Sequence, residues 1–99
     1  MNKKPLSREG TPHQQEDDEV HVASLMIAEL REATKNAGPF HSAHEGYGVI
    51  KEEYDELWDE IKKKAINRDP GKLLHEAVQL GAMAMRFILD ICMTEAWKR

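Results

Sequence analysis

Between residues 52 and 60 the chain carries Glu52, Glu53, Asp55, Glu56, Asp59 and Glu60. Carboxylates this dense repel one another, so they either face water or share a cation. On a helix each residue advances about 100°. Glu53, Glu56 and Glu60 then fall on one flank of an apolar stripe centred on Tyr54 and Ile61, while Glu52, Asp55 and Asp59 point further out. Neighbours three or four apart lie roughly 5–6 Å apart at Cβ. A divalent cation offsets that repulsion, and oxygen donors of this kind suit Mg²⁺ or Mn²⁺.

A later segment supplies a matching edge in Glu76, Gln79, Met83, Arg86 and Asp90. If the two helices pack antiparallel, Glu53, Glu56 and Glu76 converge on one point. The ordinary explanation of an acidic run is a solvated face. On that explanation Asp59–Lys63 and Glu60–Lys64 are simple i,i+4 pairs and there is no site. Two features favour a site. The glutamates flank the apolar stripe instead of opposing it, and a second helix offers a carboxylate at a comparable place.

Three helices must position these groups. Val20, Ala23, Ile27 and Leu30 recur at helical spacing and predict a first helix over 18–36, with Asp17, Asp18 and Glu19 favouring its positive end. Asn36-Ala37-Gly38-Pro39 ends it. Ser42-Ala43-His44-Glu45 reads as a capping box opening a second helix over 43–66. Gly46 and Gly48 are costly inside a helix, so something is expected to pack closely there. Asp69-Pro70 opens a third helix over 70–97. Its central stripe is Leu74, Ala77, Gly81, Ala84, Ile88 and Ile91, widened by Leu73, Val78, Leu80, Met85 and Phe87. A helix apolar over so much of its circumference is buried on more than one side. The expected architecture is therefore an all-α bundle of about three helices per chain, completed by oligomerisation. Residues 1–16 lack periodicity and read as a flexible polar arm, leaving 17–99 as a single domain.

Composition narrows the function classes. The net charge is −4 and 32% of residues are charged. The only basic cluster, Lys62-Lys63-Lys64, follows the acids, so nucleic acid is not an expected partner. No apolar run approaches the roughly 20 residues of a membrane span, and no secretory signal opens the chain. No membrane partner and a cytoplasmic location are expected. Cys92 is the single cysteine. Lying in an apolar helical stretch, it reads as a buried structural thiol. Tyr54, on the stripe centre, reads as core. Trp58, off centre, reads as an interface or nucleotide contact.

Glu52-Glu53-Tyr54-Asp55-Glu56 resembles the EExxE element of the all-α nucleoside triphosphate pyrophosphohydrolases, the MazG-like superfamily. In that family an ExxD element follows after a helix–turn–helix spacer. Here 19 residues separate Glu56 from Glu76, and the second element reads Glu76-Ala77-Val78-Gln79. His41 to Tyr47 and Glu76 to Asp90 are also similar to small, phage-type members, so the resemblance covers about residues 40–92. It implies a homodimer or homotetramer that hydrolyses a nucleoside triphosphate to the monophosphate and pyrophosphate with Mg²⁺. Glu53, Glu56 and Glu76 are then metal ligands, and Glu52 is an accessory acid beside the catalytic Glu53 and Glu56. Gln79 takes the place of the family aspartate and brings no negative charge. Glu60 and Asp90 are candidates to compensate. Lys62, Lys63, Lys64, Lys72 and Arg86 are candidates for the phosphates, and Trp58 for the substrate. A helical assembly or nucleotide-binding module with a degraded metal site is the alternative, and a phosphoribosyl-ATP pyrophosphatase a third.

Overall fold

The computed structural model describes residues 10–96. Its first helix, α1 (Pro12–Ala37), begins six residues before the expected start. The reason is local. Thr11 caps the helix by accepting the Gln14 N–H at 3.1 Å, and Pro12 occupies the first helical position. This is the same N-cap–proline device that opens the third helix. Residues 12–16 of the expected arm are therefore helical, and residues 1–9 lie outside the described residues. The predicted stop is observed: Gly38, at φ +76°, returns its N–H to the Thr34 carbonyl.

The second helix, α2 (Ala43–Ile61), opens as predicted on Ser42, whose hydroxyl accepts the Glu45 N–H. The Glu45 carboxylate accepts the His41 N–H, one residue earlier than a standard capping box places it. The helix stops five residues short of the expected end. Arg68 explains the stop, since its guanidinium Nε and Nη2 both donate to the Ile61 carbonyl, at 3.0 and 2.6 Å. A single 3₁₀ turn, Ala65–Asn67, links α2 to α3 (Pro70–Phe87). Asp69 caps α3 by accepting the N–H groups of Gly71 and Lys72. Helical backbone continues beyond Phe87 as a π-helical segment, Ile88–Ala96. There the Thr94 hydroxyl donates to the Asp90 carbonyl at 2.7 Å. The expected last helical residue, Trp97, lies outside the described residues.

Both α1 and α2 pack on α3. The small core of Phe40, Ala82 and Met83 is ringed by Leu30 and Ala33 of α1, Val49 and Ile50 of α2, and Phe87 and Ile91. Helix α3 is also long and apolar enough, over Pro70–Thr94, to cross a membrane by length and composition. This corrects the expectation that no such run exists. Arg86 and Asp90 interrupt the run without making its mean hydropathy low. The buried central helix of a bundle has the same composition.

Gly46 and Gly81 permit the close approach of the helices. A Cβ on Gly46 would lie 2.6 Å from the Phe87 ring, and one on Gly81 equally close to the Met26 methyl. Gly48 faces open space. Gly46→Ala is therefore expected to destabilise the protein by about 1–2 kcal/mol through overpacking. Gly48→Ala is expected to stabilise it by up to about 1 kcal/mol, the helix-propensity difference. Paired thermal or urea unfolding curves check the opposite signs.

The rotation of α2 departs from expectation. Gly46, Glu53 and Glu60, seven apart, form the side turned to α3, and Gly46 and Glu60 are buried. The aromatic stripe faces outward instead. Tyr47, Tyr54 and Trp58 are 64%, 58% and 54% exposed. Tyr54 is thus not a core residue. A sequence stripe predicts which residues want burial, but here glycine at position 46 lets α3 approach on the neighbouring face. On α3 the shift is similar: Leu74, Ala77, Ala84 and Ile88 are exposed, and the Glu76–Met83–Arg86 edge is inside.

Candidate metal centre

Because α2 and α3 are antiparallel neighbours, the C-terminal half of α2 lies beside the first turns of α3. That arrangement brings Glu53, Glu56 and Glu76 together. One carboxylate oxygen from each lies within 4.8 Å of the others. Glu76 is 7% exposed, Glu53 half-buried and Glu56 exposed. Glu53 Oε1 and Glu76 Oε1 are buried with no hydrogen-bond partner. A buried carboxylate oxygen without a donor is unfavourable. Two such carboxylates in one cluster with a third fit the donor set of a hard divalent cation.

The electrostatics carry the same message. Burial, followed by the charges of Glu56 and Glu76, a hydrogen bond with Glu56 and the charge of Glu52, pushes the Glu53 carboxyl up to about 7. Near neutral pH the site holds a proton that a cation can displace.

A cleft of about 310 Å³ adjoins the trio, lined by Glu56, Asp59, Glu60, Lys63, Lys72 and Glu76. Two lysines thus stand on the rim of the carboxylate site. Lys63 was among the sequence candidates for phosphate, as was Lys72.

Other candidates go elsewhere. Glu60 is 1% exposed and already committed. Its Oε2 accepts the Asp69 N–H at 2.8 Å and its Oε1 accepts Lys63 Nζ at 2.9 Å. The Asp69 N–H, with Lys63 next, holds its carboxyl below the usual range. It is a brace between the end of α2 and the cap of α3, not a spare ligand. Glu60→Ala is expected to lower the melting temperature by several degrees, with Glu60→Gln retaining part of the loss. The stability that Glu60 contributes is present above pH 4.5, its ordinary value, and fades as pH falls through its lowered one. Comparing acid unfolding of the wild type and the alanine variant tests this.

Asp90 accepts the Phe40 N–H at 2.9 Å. It stands about 21 Å along the helix from Glu76 at 1.5 Å per residue, so it does not compensate for Gln79. Arg86 is 4% exposed. Its Nη2 donates to the Gly38 carbonyl at 2.6 Å, Nη1 contacts Met83 Sδ at 3.3 Å, and the guanidinium stacks 4.2 Å from the Phe40 ring centroid. It clamps the α1–α2 turn and is not among the residues that line the cleft. Lys62 pairs with Asp59 at 3.1 Å, and Lys64 occupies the position before the 3₁₀ turn, with no side-chain capping bond. The acid–lysine pairs run at i,i+3, Asp59–Lys62 and Glu60–Lys63, instead of the expected i,i+4. Trp58 and Glu52 are exposed outside the trio. Gln79 is half-buried one turn past Glu76. His75 is exposed as expected, and Cys92 is half-buried. Sequence reasoning missed Asp59 on the cleft rim and the Arg68 cap. The only signal for Arg68 was a basic residue near the end of a helix.

The chain matches no family model, no curated protein and no solved structure.

Proposed function

We propose that the protein is a metal-dependent nucleoside triphosphate pyrophosphohydrolase, acting on the nucleotide pool. The observation that carries this reading is the Glu53–Glu56–Glu76 trio with its two unpartnered buried oxygens. It coincides with residues that the resemblance names in its two elements, Glu53 and Glu56 in the first and Glu76 in the second. Glu53, Glu56 and Glu76 would hold Mg²⁺ or Mn²⁺. Such an ion, when bound, neutralises triphosphate charge and acidifies a water. The chain's own groups do the rest. Glu53, whose carboxyl is pushed up to about 7 without metal, would give up its proton as the ion binds, so loading of the site would be coupled to proton release near neutral pH. Lys63 and Lys72 on the cleft rim bind the polyphosphate and stabilise the charge of the departing pyrophosphate.

Purified protein incubated with each nucleoside and deoxynucleoside triphosphate, with Mg²⁺ or Mn²⁺, is expected to release pyrophosphate from at least one. No release from any, by protein shown to be folded, would sink the reading.

Gln79 favours a second reading, a nucleotide-binding or assembly module whose metal site has decayed. An amide oxygen beside Glu76 donates to a cation without adding charge. That reading predicts weak metal binding by calorimetry and no turnover. Turnover by the unaltered chain separates the two: an active enzyme releases pyrophosphate with glutamine at 79, whereas a decayed site does so only, if at all, after Gln79→Asp restores the missing charge.

A further inference from the structure

The cleft beside the carboxylate trio has a direction. Lys72 stands one turn before Glu76, about 6 Å along α3, and Lys63 lies just past the end of α2. Both therefore sit on the α2–α3 turn side of the trio, and they are the two cations among the residues that line the cleft. Gln79 follows Glu76 on α3 and lies on the opposite side.

An ammonium on a long flexible stem, beyond the end of a helix, needs an anchor to be held in one place. Lys63 has one. Its Nζ donates to Glu60 Oε1 at 2.9 Å, and Glu60 Oε2 accepts the Asp69 N–H at 2.8 Å. The neighbouring pair shows the difference. The side chains of Lys62 and Asp59 are 55% and 62% exposed, and pairs of that kind are weak. Those of Lys63 and Glu60 are 44% and 1% exposed. Burying a carboxylate is costly. An amide oxygen can also accept the Asp69 N–H, so bracing α2 to α3 does not by itself require a charge at position 60. The charge serves Lys63, which keeps two further N–H donors for a ligand.

We propose that Glu60 is a positioning residue: it fixes Lys63 on the turn side of the cleft, where Lys63 and Lys72 receive the outer phosphates of a polyphosphate whose first phosphate lies at the trio. The nucleoside then extends the other way, past Gln79. This assignment rests on the pyrophosphohydrolase reading and adds to it the direction of the substrate and the residue that sets it. Four carboxylates line the cleft, Glu56, Asp59, Glu60 and Glu76, against the two ammoniums. A displaced Lys63 leaves the outer phosphates facing that negative charge.

Inorganic tripolyphosphate, presented with Mg²⁺ to the full chain in a calorimeter, reads the site directly. Glu60→Gln and Lys63→Ala are each expected to weaken its binding about tenfold or more, the effect of one charge-assisted hydrogen bond. The double variant is expected to bind no more weakly than Lys63→Ala alone, because Glu60 acts through Lys63. A nucleoside monophosphate has no outer phosphates and is expected to bind the wild type and all three variants equally. Lys62→Ala is expected to change neither ligand. A role for Glu60 in stability alone moves the melting temperature and not these ratios, which are measured well below the melting temperature of every variant. If Glu60→Gln fails to fold, the side-chain nitrogen resonance of Lys63 in the wild type reads the same contact. It is expected to survive exchange with water, unlike that of Lys62. Undiminished tripolyphosphate binding in Glu60→Gln, additive losses in the double variant, equal weakening of the monophosphate, or a Lys63 ammonium that exchanges as fast as that of Lys62 overturns the assignment. The binding series does not depend on turnover. A chain that hydrolyses nothing but shows these ratios keeps the assignment and loses the enzyme reading, and one that releases pyrophosphate without them does the reverse.

Discussion

Glu53→Gln is expected to make the metal-free protein more stable above pH 7 while abolishing its response to Mg²⁺ or Mn²⁺. The opposed effects come from one carboxylate. In the folded chain Glu53 holds its proton up to about pH 7, against 4.5 as its ordinary value. Between those values the folded state binds more protons than the unfolded state, so stability falls as pH rises from 4.5 to 7 and then levels off. Glutamine keeps the shape and removes that penalty. The melting temperature of the metal-free wild type should therefore drop relative to the variant across that window. Taking the difference between the two proteins cancels the histidines that titrate in the same range. A divalent cation should raise the wild-type melting temperature, flatten its pH dependence and release protons on binding. It should do little for Glu53→Gln or Glu76→Ala. If the protein turns over a nucleotide, each variant should lose at least about 100-fold, because loss of an outer-shell partner alone costs 10–100-fold. Equal metal-induced shifts in wild type and both variants would place the cation elsewhere.

Arg86→Ala is expected to cost about 3 kcal/mol of stability. The guanidinium donates a charge-assisted hydrogen bond to the Gly38 carbonyl and stacks on Phe40 in a buried setting. Contributions of about 1.5–3 kcal/mol and up to about 2 kcal/mol are usual for these two interactions. Removal leaves the Gly38 carbonyl unpaired beside a cavity. In a domain of this size, 3 kcal/mol lowers the melting temperature by more than about 10 °C. Metal binding by the fraction that remains folded should be unchanged, because Arg86 is ten residues along α3 from Glu76. A variant as stable as wild type, or one that binds metal many-fold more weakly while folded, contradicts this placing. Arg86→Lys should recover only part of the loss, since a lysine has no planar face to stack on Phe40.

The elements themselves were legible. Gly38-Pro39, Ser42 through Glu45 and Asp69-Pro70 stop and start helices by local chemistry that needs no tertiary contact. Thr11-Pro12 carried the same signal, but Asp17 and Asp18 competed with it as a start. The end of α2 was not legible, because Arg68 caps Ile61 from seven residues away. Nor were the fates of Arg86 and Asp90. Both bind the turn between α1 and α2, at Gly38 and Phe40, nearly fifty residues distant. No spacing rule reaches that far.

By itself the sequence determined an all-α chain with carboxylates at 53, 56 and 76, on two helices joined by a short turn. Those positions follow from helical periodicity and capping, which are properties of neighbouring residues. The tertiary structure decided how far each helix is rotated about its axis. Rotation is set by close approach, with Gly46 under Phe87 and Gly81 under Met26. It turned Glu53, Glu60 and Glu76 inward, left Glu53 and Glu76 with unpartnered oxygens and sent Tyr47, Tyr54 and Trp58 outward. It also took Glu60 out of the candidate ligand set, because the Asp69 N–H that it accepts comes within its reach only when the chain folds back.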